Sequence, residues 1–137
     1  MNLADVFRPD PLPRMSSPAN TSKRTVPPIP VPARILNGTV YCCENCCTHI
    51  ASEESIMAKG FFGRHGRALF IDEAINYKLG AIEDRDLMTG RHKVADIMCA
   101  TCDIVLGWKY LKSSSDDQRY KEGRFILEKT RLYKVEL

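Results

Sequence analysis

Residues 41–47 read YCCENCC and place four cysteines in seven positions: Cys42, Cys43, Cys46 and Cys47. The stretch fits CxxC with Cys43 and Cys46, or CxxxC with Cys42 and Cys46 or with Cys43 and Cys47. Residues 98–103, MCATCD, hold a second cluster with a single reading, Cys99 and Cys102 as CxxC. Laying one cluster on the other pairs Cys43 with Cys99 and Cys46 with Cys102. Cys42 then falls on Met98 and Cys47 on Asp103. Methionine is a poor zinc ligand, so the symmetric set is Cys43, Cys46, Cys99 and Cys102.

A zinc ion takes four ligands in a tetrahedron, with Zn–S near ~2.3 Å. Two cysteines three apart, astride a tight turn, put both sulfurs on one side of the backbone. Glu44-Asn45 and Ala100-Thr101 supply those turns, and Asn tolerates the left-handed conformations that turns need. Each pair is half a tetrahedron. The 52 residues between Cys46 and Cys99 mean that one shared ion would tie distant parts of the chain together. Four thiolates leave no open position, which marks a structural zinc rather than a catalytic one. The competing readings are free core cysteines, a disulfide in an oxidising setting, or a redox CxxC. Cys42 points to the opposite face of an extended strand from Cys43 and reads as a small buried hydrophobe. Cys47 is expected near the sulfurs without binding. His49, His65 and His92 are expected at the surface.

The two clusters also look like the start of a repeat. Gly66-Arg67 followed by ALF stands twenty residues after Cys46, and Gly123-Arg124 followed by FIL twenty-one residues after Cys102. Each half reads as knuckle, apolar strand, loop, then Gly-Arg and a second apolar strand, a weak internal duplication. Strands are expected at 39–43, 67–71, 74–79, 103–111 and 125–137, the last as one long or two short strands. Residues 87–98 read as strand, turn at Thr89-Gly90, strand. Gly107 is expected at a bulge or a close approach. SSSDDQRYKEG (113–123) reads as the clearest helix, with a Ser115–Gln118 capping box and Gly123 as its stop. A second short helix is expected from Ser52. The sum is an antiparallel β domain with one or two short helices.

All eight prolines lie at or before Pro32. PPIPVP (27–32) favours polyproline II, so residues 1–34 read as a Pro-rich tail that buries little, and 35–137 as the folded domain. A linker is the plain reading of the tail, and a segment docking in a PxxP-reading groove the sharper one. The tail carries five basic and two acidic residues, +3, which is the whole formal charge of the chain. The domain is left neutral, against expectation for a duplex binder. No apolar run approaches a membrane span, and the N-terminus lacks the apolar core of a secretory signal. The expectation is a soluble intracellular chain, where cysteines favour metal over disulfides.

These residues together resemble the Yippee family. The resemblance is carried by YxCxxC (41–46), the 52-residue spacing, GRALF (66–70), LMTGRHKVADIMCATC (87–102), LGWKY (106–110) and YKEGRFILE (120–128). It covers roughly residues 39–128. It implies a β-tent-like pair of antiparallel sheets pinned by one zinc on Cys43, Cys46, Cys99 and Cys102, with Cys42 and Cys47 outside the pattern. The same fold class includes cereblon's thalidomide-binding domain and type B methionine-sulfoxide reductases. The resemblance implies no enzymatic activity, a place in nucleus and cytoplasm, and a kinship with subunits of the GID/CTLH ubiquitin ligase.

Three classes of function follow. The first is a zinc-stabilised protein-binding module, an adaptor or accessory subunit of such a ligase. In cereblon-like relatives an aromatic cage binds a ligand, and Trp108 matches one wall. A groove of Trp108, Tyr110, Phe61 and Phe62 is the candidate here, while the plainer reading puts Trp108 in the core. The second is a sulfoxide-reductase-like enzyme, which needs an exposed low-pKa thiol, and only Cys42 and Cys47 are left for that role. The third is nucleic-acid binding, for which the neutral domain gives little support.

Overall fold

The computed structural model describes residues 31–137; most of the Pro-rich stretch, residues 1–30, lies outside the described residues. Nine strands form two antiparallel sheets. They are β1 (Thr39–Cys43), β2 (His49–Ser52), β3 (Ile56–Gly63), β4 (Gly66–Ile71), β5 (Tyr77–Leu87), β6 (Gly90–Cys99), β7 (Val105–Ser113), β8 (Phe125–Glu128) and β9 (Leu132–Glu136). The small sheet has the order β2-β1-β9 and the large one β3-β4-β8-β7-β6-β5. This is the mainly β, two-sheet architecture that the sequence predicts.

The repeat is visible in the topology. β1 and β2 flank the first knuckle, with β9 on the far side of β1. β6 and β7 flank the second, with β5 on the far side of β6. The two Gly-Arg strands, β4 and β8, pair with each other in the middle of the large sheet, Leu69 opposite Leu127. In the first half β3 stands between the knuckle strand β2 and β4, while in the second β7 leads to β8 through the 3-10 segment Asp116–Lys121.

Two buried clusters lie on the two faces of the large sheet, because side chains alternate along each strand. Leu69, Ile71, Ile97, Leu106, Phe125 and Leu127 point toward Tyr41, Ile50 and Leu132 of the small sheet, and Cys43 and Cys99 belong to this cluster. Phe61, Phe70, Leu87, Val94, Trp108, Tyr110 and Ile126 form the second cluster. Gly107 sits where the register of β6 and β7 shifts. A Cβ there would stand 1.8 Å from the Ile126 carbonyl oxygen, the close approach that the sequence predicts.

Several elements differ from expectation. The segment from Ser52 forms a single 3-10 turn at Glu53–Ser55, capped by the Ser52 hydroxyl, and Ile56–Gly63 then runs as a strand. Phe61 stacks on Phe70 at 4.9 Å, and that cross-strand contact outweighs the local helical signal. The helix expected at 113–123 is a 3-10 segment, Asp116–Lys121, and Ser115 makes no side-chain cap. The strand expected at 74–79 begins only at Tyr77, because Asn76 adopts φ 57°. It then continues through the charged run to Leu87, where pairing with β6 overrides the poor strand propensity of Glu83, Asp84 and Asp86. The last segment is two short strands joined by a 3-10 turn at Lys129–Arg131.

Candidate metal centre

The two knuckles have the same backbone construction. In the first, the Cys43 N–H donates to the Thr48 carbonyl at 2.8 Å, and the Cys47 N–H to the Cys43 carbonyl at 2.9 Å. In the second, the Cys99 N–H donates to the Ile104 carbonyl and the Asp103 N–H to the Cys99 carbonyl, both at 2.9 Å. Cys47 and Asp103 adopt φ 66° and 68°. The residues aligned by sequence are thus equivalent in conformation. Each knuckle is also held from outside, Glu44 N–H on the Arg131 carbonyl and Ala100 N–H on the Asn76 carbonyl.

The sulfurs of Cys43, Cys46, Cys99 and Cys102 all lie within 4.8 Å of one another. Cys43 and Cys102 are 3.6 Å apart, and Cys46 and Cys99 3.5 Å. A tetrahedron of thiolates around zinc has sulfurs about 3.8 Å apart, so the cluster has the size that the ion requires. Burial pushes the Cys43 thiol up to about 12, and lifts Cys46 as well. Burial also acts upward on Cys102, but hydrogen bonds from Asn45, the Ile104 backbone, Cys43 and Cys46 outweigh it and bring that thiol to about 7. Packing four such groups together favours a divalent cation that neutralises them.

Around the sulfurs stands a layer of polar side chains. The Thr48 hydroxyl lies 3.0 Å from Cys46 Sγ and donates to Thr101 Oγ1 at 2.9 Å, bridging the knuckles. Lys78 of β5 pairs with Asp103. Thr48, Thr101 and Asn45 carry no motif that singles them out in the sequence; their place inside or beside the two knuckles is the one signal available.

Cys42 and Cys47 are not in the cluster. Cys42 is buried, and Cys47 is exposed and accepts a hydrogen bond from the Tyr133 hydroxyl at 2.7 Å. Of the histidines, His65 is exposed and His49 half-buried, accepting from the Ile35 N–H. His92, expected at the surface, is instead 1% exposed, held between Thr89 Oγ1 at 2.8 Å and Ser113 Oγ at 2.9 Å. The candidate groove is also not an open one. Trp108, Tyr110 and Phe61 are buried in the second cluster, while Phe62 lies half-buried on the other side of β3. The aromatic rings meet each other, with Trp108 edge-on to Tyr110 at 6.3 Å.

The family profile described as "Yippee zinc-binding/DNA-binding /Mis18, centromere assembly" matches residues 39–137. A yippee-like protein of Arabidopsis thaliana is 44% identical over 102 residues, covering 74% of this chain and 96% of the relative. Human yippee-like protein 4 is 42% identical over 94 residues, covering 69% of this chain and 74% of its own length. In three dimensions the chain is similar to the crystal structure of the Mis18 "Yippee-like" domain. The TM-score is 0.57 at 13% identity, covering 73% of this chain and 97% of that one; this likeness is one of fold. A two-sheet β domain with a four-cysteine centre joining its halves is a Yippee-type zinc-binding domain. The chain belongs to the Yippee-Mis18 family.

Proposed function

We propose that the domain is a non-enzymatic protein-binding module, pinned by one zinc on Cys43, Cys46, Cys99 and Cys102. Its place is as an accessory or adaptor subunit of a GID/CTLH-type ubiquitin ligase or a related regulatory complex of nucleus and cytoplasm. The observation that supports it is the closure of the cysteine cluster: four thiolates complete the coordination of the ion and leave no position for a reacting water. Such a metal organises a surface rather than performing chemistry. The test is affinity capture of the tagged chain from cell extract, with a Cys99→Ser chain as the unfolded control. Ligase subunits recovered in near-equal amount by the intact chain alone support the reading; their absence overturns it.

The enzyme reading is disfavoured by the remaining thiols. Burial raises the Cys42 pKa, with neighbouring Cys47 adding to it, the wrong direction for a nucleophile. A methionine-sulfoxide reduction assay separates the two classes. The DNA-binding wording of the family description supports a third reading. Against it stands the even balance of 15 basic and 15 acidic residues in 35–137 once the tail is subtracted, with Arg34 counted in the tail. Duplex DNA binding with a steep salt dependence would favour it.

A further inference from the structure

A cavity of about 170 Å³ is lined by Asp84, Arg91, Lys93, Lys112, Ser113 and Ser114. It lies at the end of the large sheet remote from the cysteine centre, with Lys93 about 20 Å along β6 from Cys99. Alternation puts Arg91 and Lys93 on one face of β6, and the register sets Asp84 of β5 and Lys112 of β7 on either side of Lys93. Lys93 and Lys112 are thus direct cross-strand partners of like charge, an arrangement that costs stability. Asp84 relieves only one of the two, its carboxylate 3.1 Å from the Lys93 ammonium. Lys112 is exposed and has no hydrogen-bond or ion-pair partner among the described residues. Arg91 is tied to Asp86 through Nε at 3.0 Å and Nη2 at 3.4 Å, which leaves its Nη1 amino group uncommitted. The Ser114 N–H donates to the Arg91 carbonyl at 3.2 Å and fixes this end of β7 against β6. Ser113 is committed elsewhere, its hydroxyl to His92 Nδ1 and its N–H to the Glu122 carboxylate, both at 2.9 Å. Three cations around one cavity, against the single carboxylate that lines it, are a local excess in a domain of balanced charge.

We propose that this cavity binds the phosphate of a phosphorylated serine or threonine on a partner protein, with Lys112, Lys93, Arg91 and the Ser114 hydroxyl as donors. A phosphate monoester carries a charge of about −1.5 to −2 and three strong acceptor oxygens near neutral pH. That matches the local excess, and an anion between Lys93 and Lys112 ends their repulsion. The carboxylates decide which carrier the site accepts. Asp84 and Asp86 bound it along β5. Duplex DNA carries phosphates in close succession, and a duplex laid over β6 would press further phosphates onto these two carboxylates. A peptide brings one phosphate and can set a basic side chain against them. The inference rests on the protein-binding reading for the carrier of the phosphate alone.

The probe is a synthetic peptide with a central phosphoserine followed by arginine, titrated into the isotope-labelled, zinc-bound protein. It should shift the amide resonances of residues 91–93 and 112–114 saturably, and the unphosphorylated peptide should not. Lys112→Ala should weaken binding about tenfold, the loss expected for one charge-assisted hydrogen bond. Lys112→Glu should abolish binding with zinc retained and no fall in melting temperature, since it turns a like-charge pair into an opposite one. Absence of a saturable shift overturns the proposal, as does a Lys112→Glu chain that binds as well as the unaltered one. Inorganic phosphate binding as tightly as the phosphopeptide overturns it in favour of a free-ion site. A DNA duplex binding more tightly at the same residues overturns it in favour of nucleic acid. Failure of ligase capture bears on the proposed complex and leaves this titration untouched.

Discussion

Single residues decide the metal centre and the close approach of β7 to β8. Four sulfurs at tetrahedral separation predict one zinc per purified chain, checked by metal analysis. Replacing Cys42 and Cys47 together by Ser should leave that ratio at one, since neither belongs to the cluster; loss of zinc would mean that a ligand has been misassigned. Gly107 is a different kind of constraint. Its missing side chain lets β7 approach the β8 backbone, where a Cβ would meet Ile126 O at 1.8 Å. Backbone cannot step aside as a side chain can, so Gly107→Ala should destabilise by more than ~3 kcal/mol in a denaturant titration. Trp108→Ala removes a ring that is 1% exposed and should cost ~3–5 kcal/mol; a variant of near wild-type stability would contradict its place in the core.

At the scale of elements, the knuckles are held by what packs beside them. Asn76 ends the loop before β5 and ties three pieces together. Its amide nitrogen donates to the carbonyls of His49 and Ala33, its oxygen accepts from Ala33, and its carbonyl accepts from Ala100 of the second knuckle. It does so at φ 57°, a conformation that Asn tolerates better than most residues. Asn76→Ala loses the side-chain bonds and strains the backbone. The expected cost is ~1–3 kcal/mol, read as a lowered melting temperature with zinc still bound. Asn76→Gly relieves the strain but not the lost bonds and should fall between the two. The helical expectations at 52–60 and 113–123 shrink at this same scale to 3-10 segments, Glu53–Ser55 and Asp116–Lys121. Capping signals are local, and beyond the first of these turns the cross-strand contact of Phe61 with Phe70 exerts a larger pull.

For the molecule as a whole, the metal joins β1 and β2 to β6 and β7 across two sheets. The site exists only when both sheets are assembled, so zinc affinity is folding free energy, on the order of 10 kcal/mol. A domain of this size has a margin of only ~5–15 kcal/mol. Cys99→Ser, or chelation of the ion, should therefore unfold the domain rather than loosen it, seen as loss of the β circular-dichroism signal. Acid should act in the same direction. The metal-free Cys43 thiol is pushed up to about 12, so zinc must displace its proton, and protons compete better as the pH falls. The zinc ratio after dialysis should hold at neutral pH and drop on acidification, with the melting temperature falling alongside it.

What the sequence determined by itself was local and periodic. The CxxC spacing, the aligned halves, the Gly107 approach and most strands follow from backbone geometry that a few neighbouring residues dictate, and the knuckles duly share their hydrogen bonds and their φ values. The choice of Cys43 over Cys42 was legible because the second cluster has a single CxxC reading, and laying one cluster on the other sets Cys42 against Met98. Tertiary structure decided what depends on partners far along the chain. His92 sits in a turn-like stretch, yet is buried because Thr89 and Ser113 close around its ring. Trp108 read as core, with a groove shared with Tyr110 as the sharper alternative, and the burial of both rings in the assembled sheets decided for the core. The charged strand β5 took its form from pairing with β6. Burial and pairing are properties of the assembled sheets, and no window of sequence contains them.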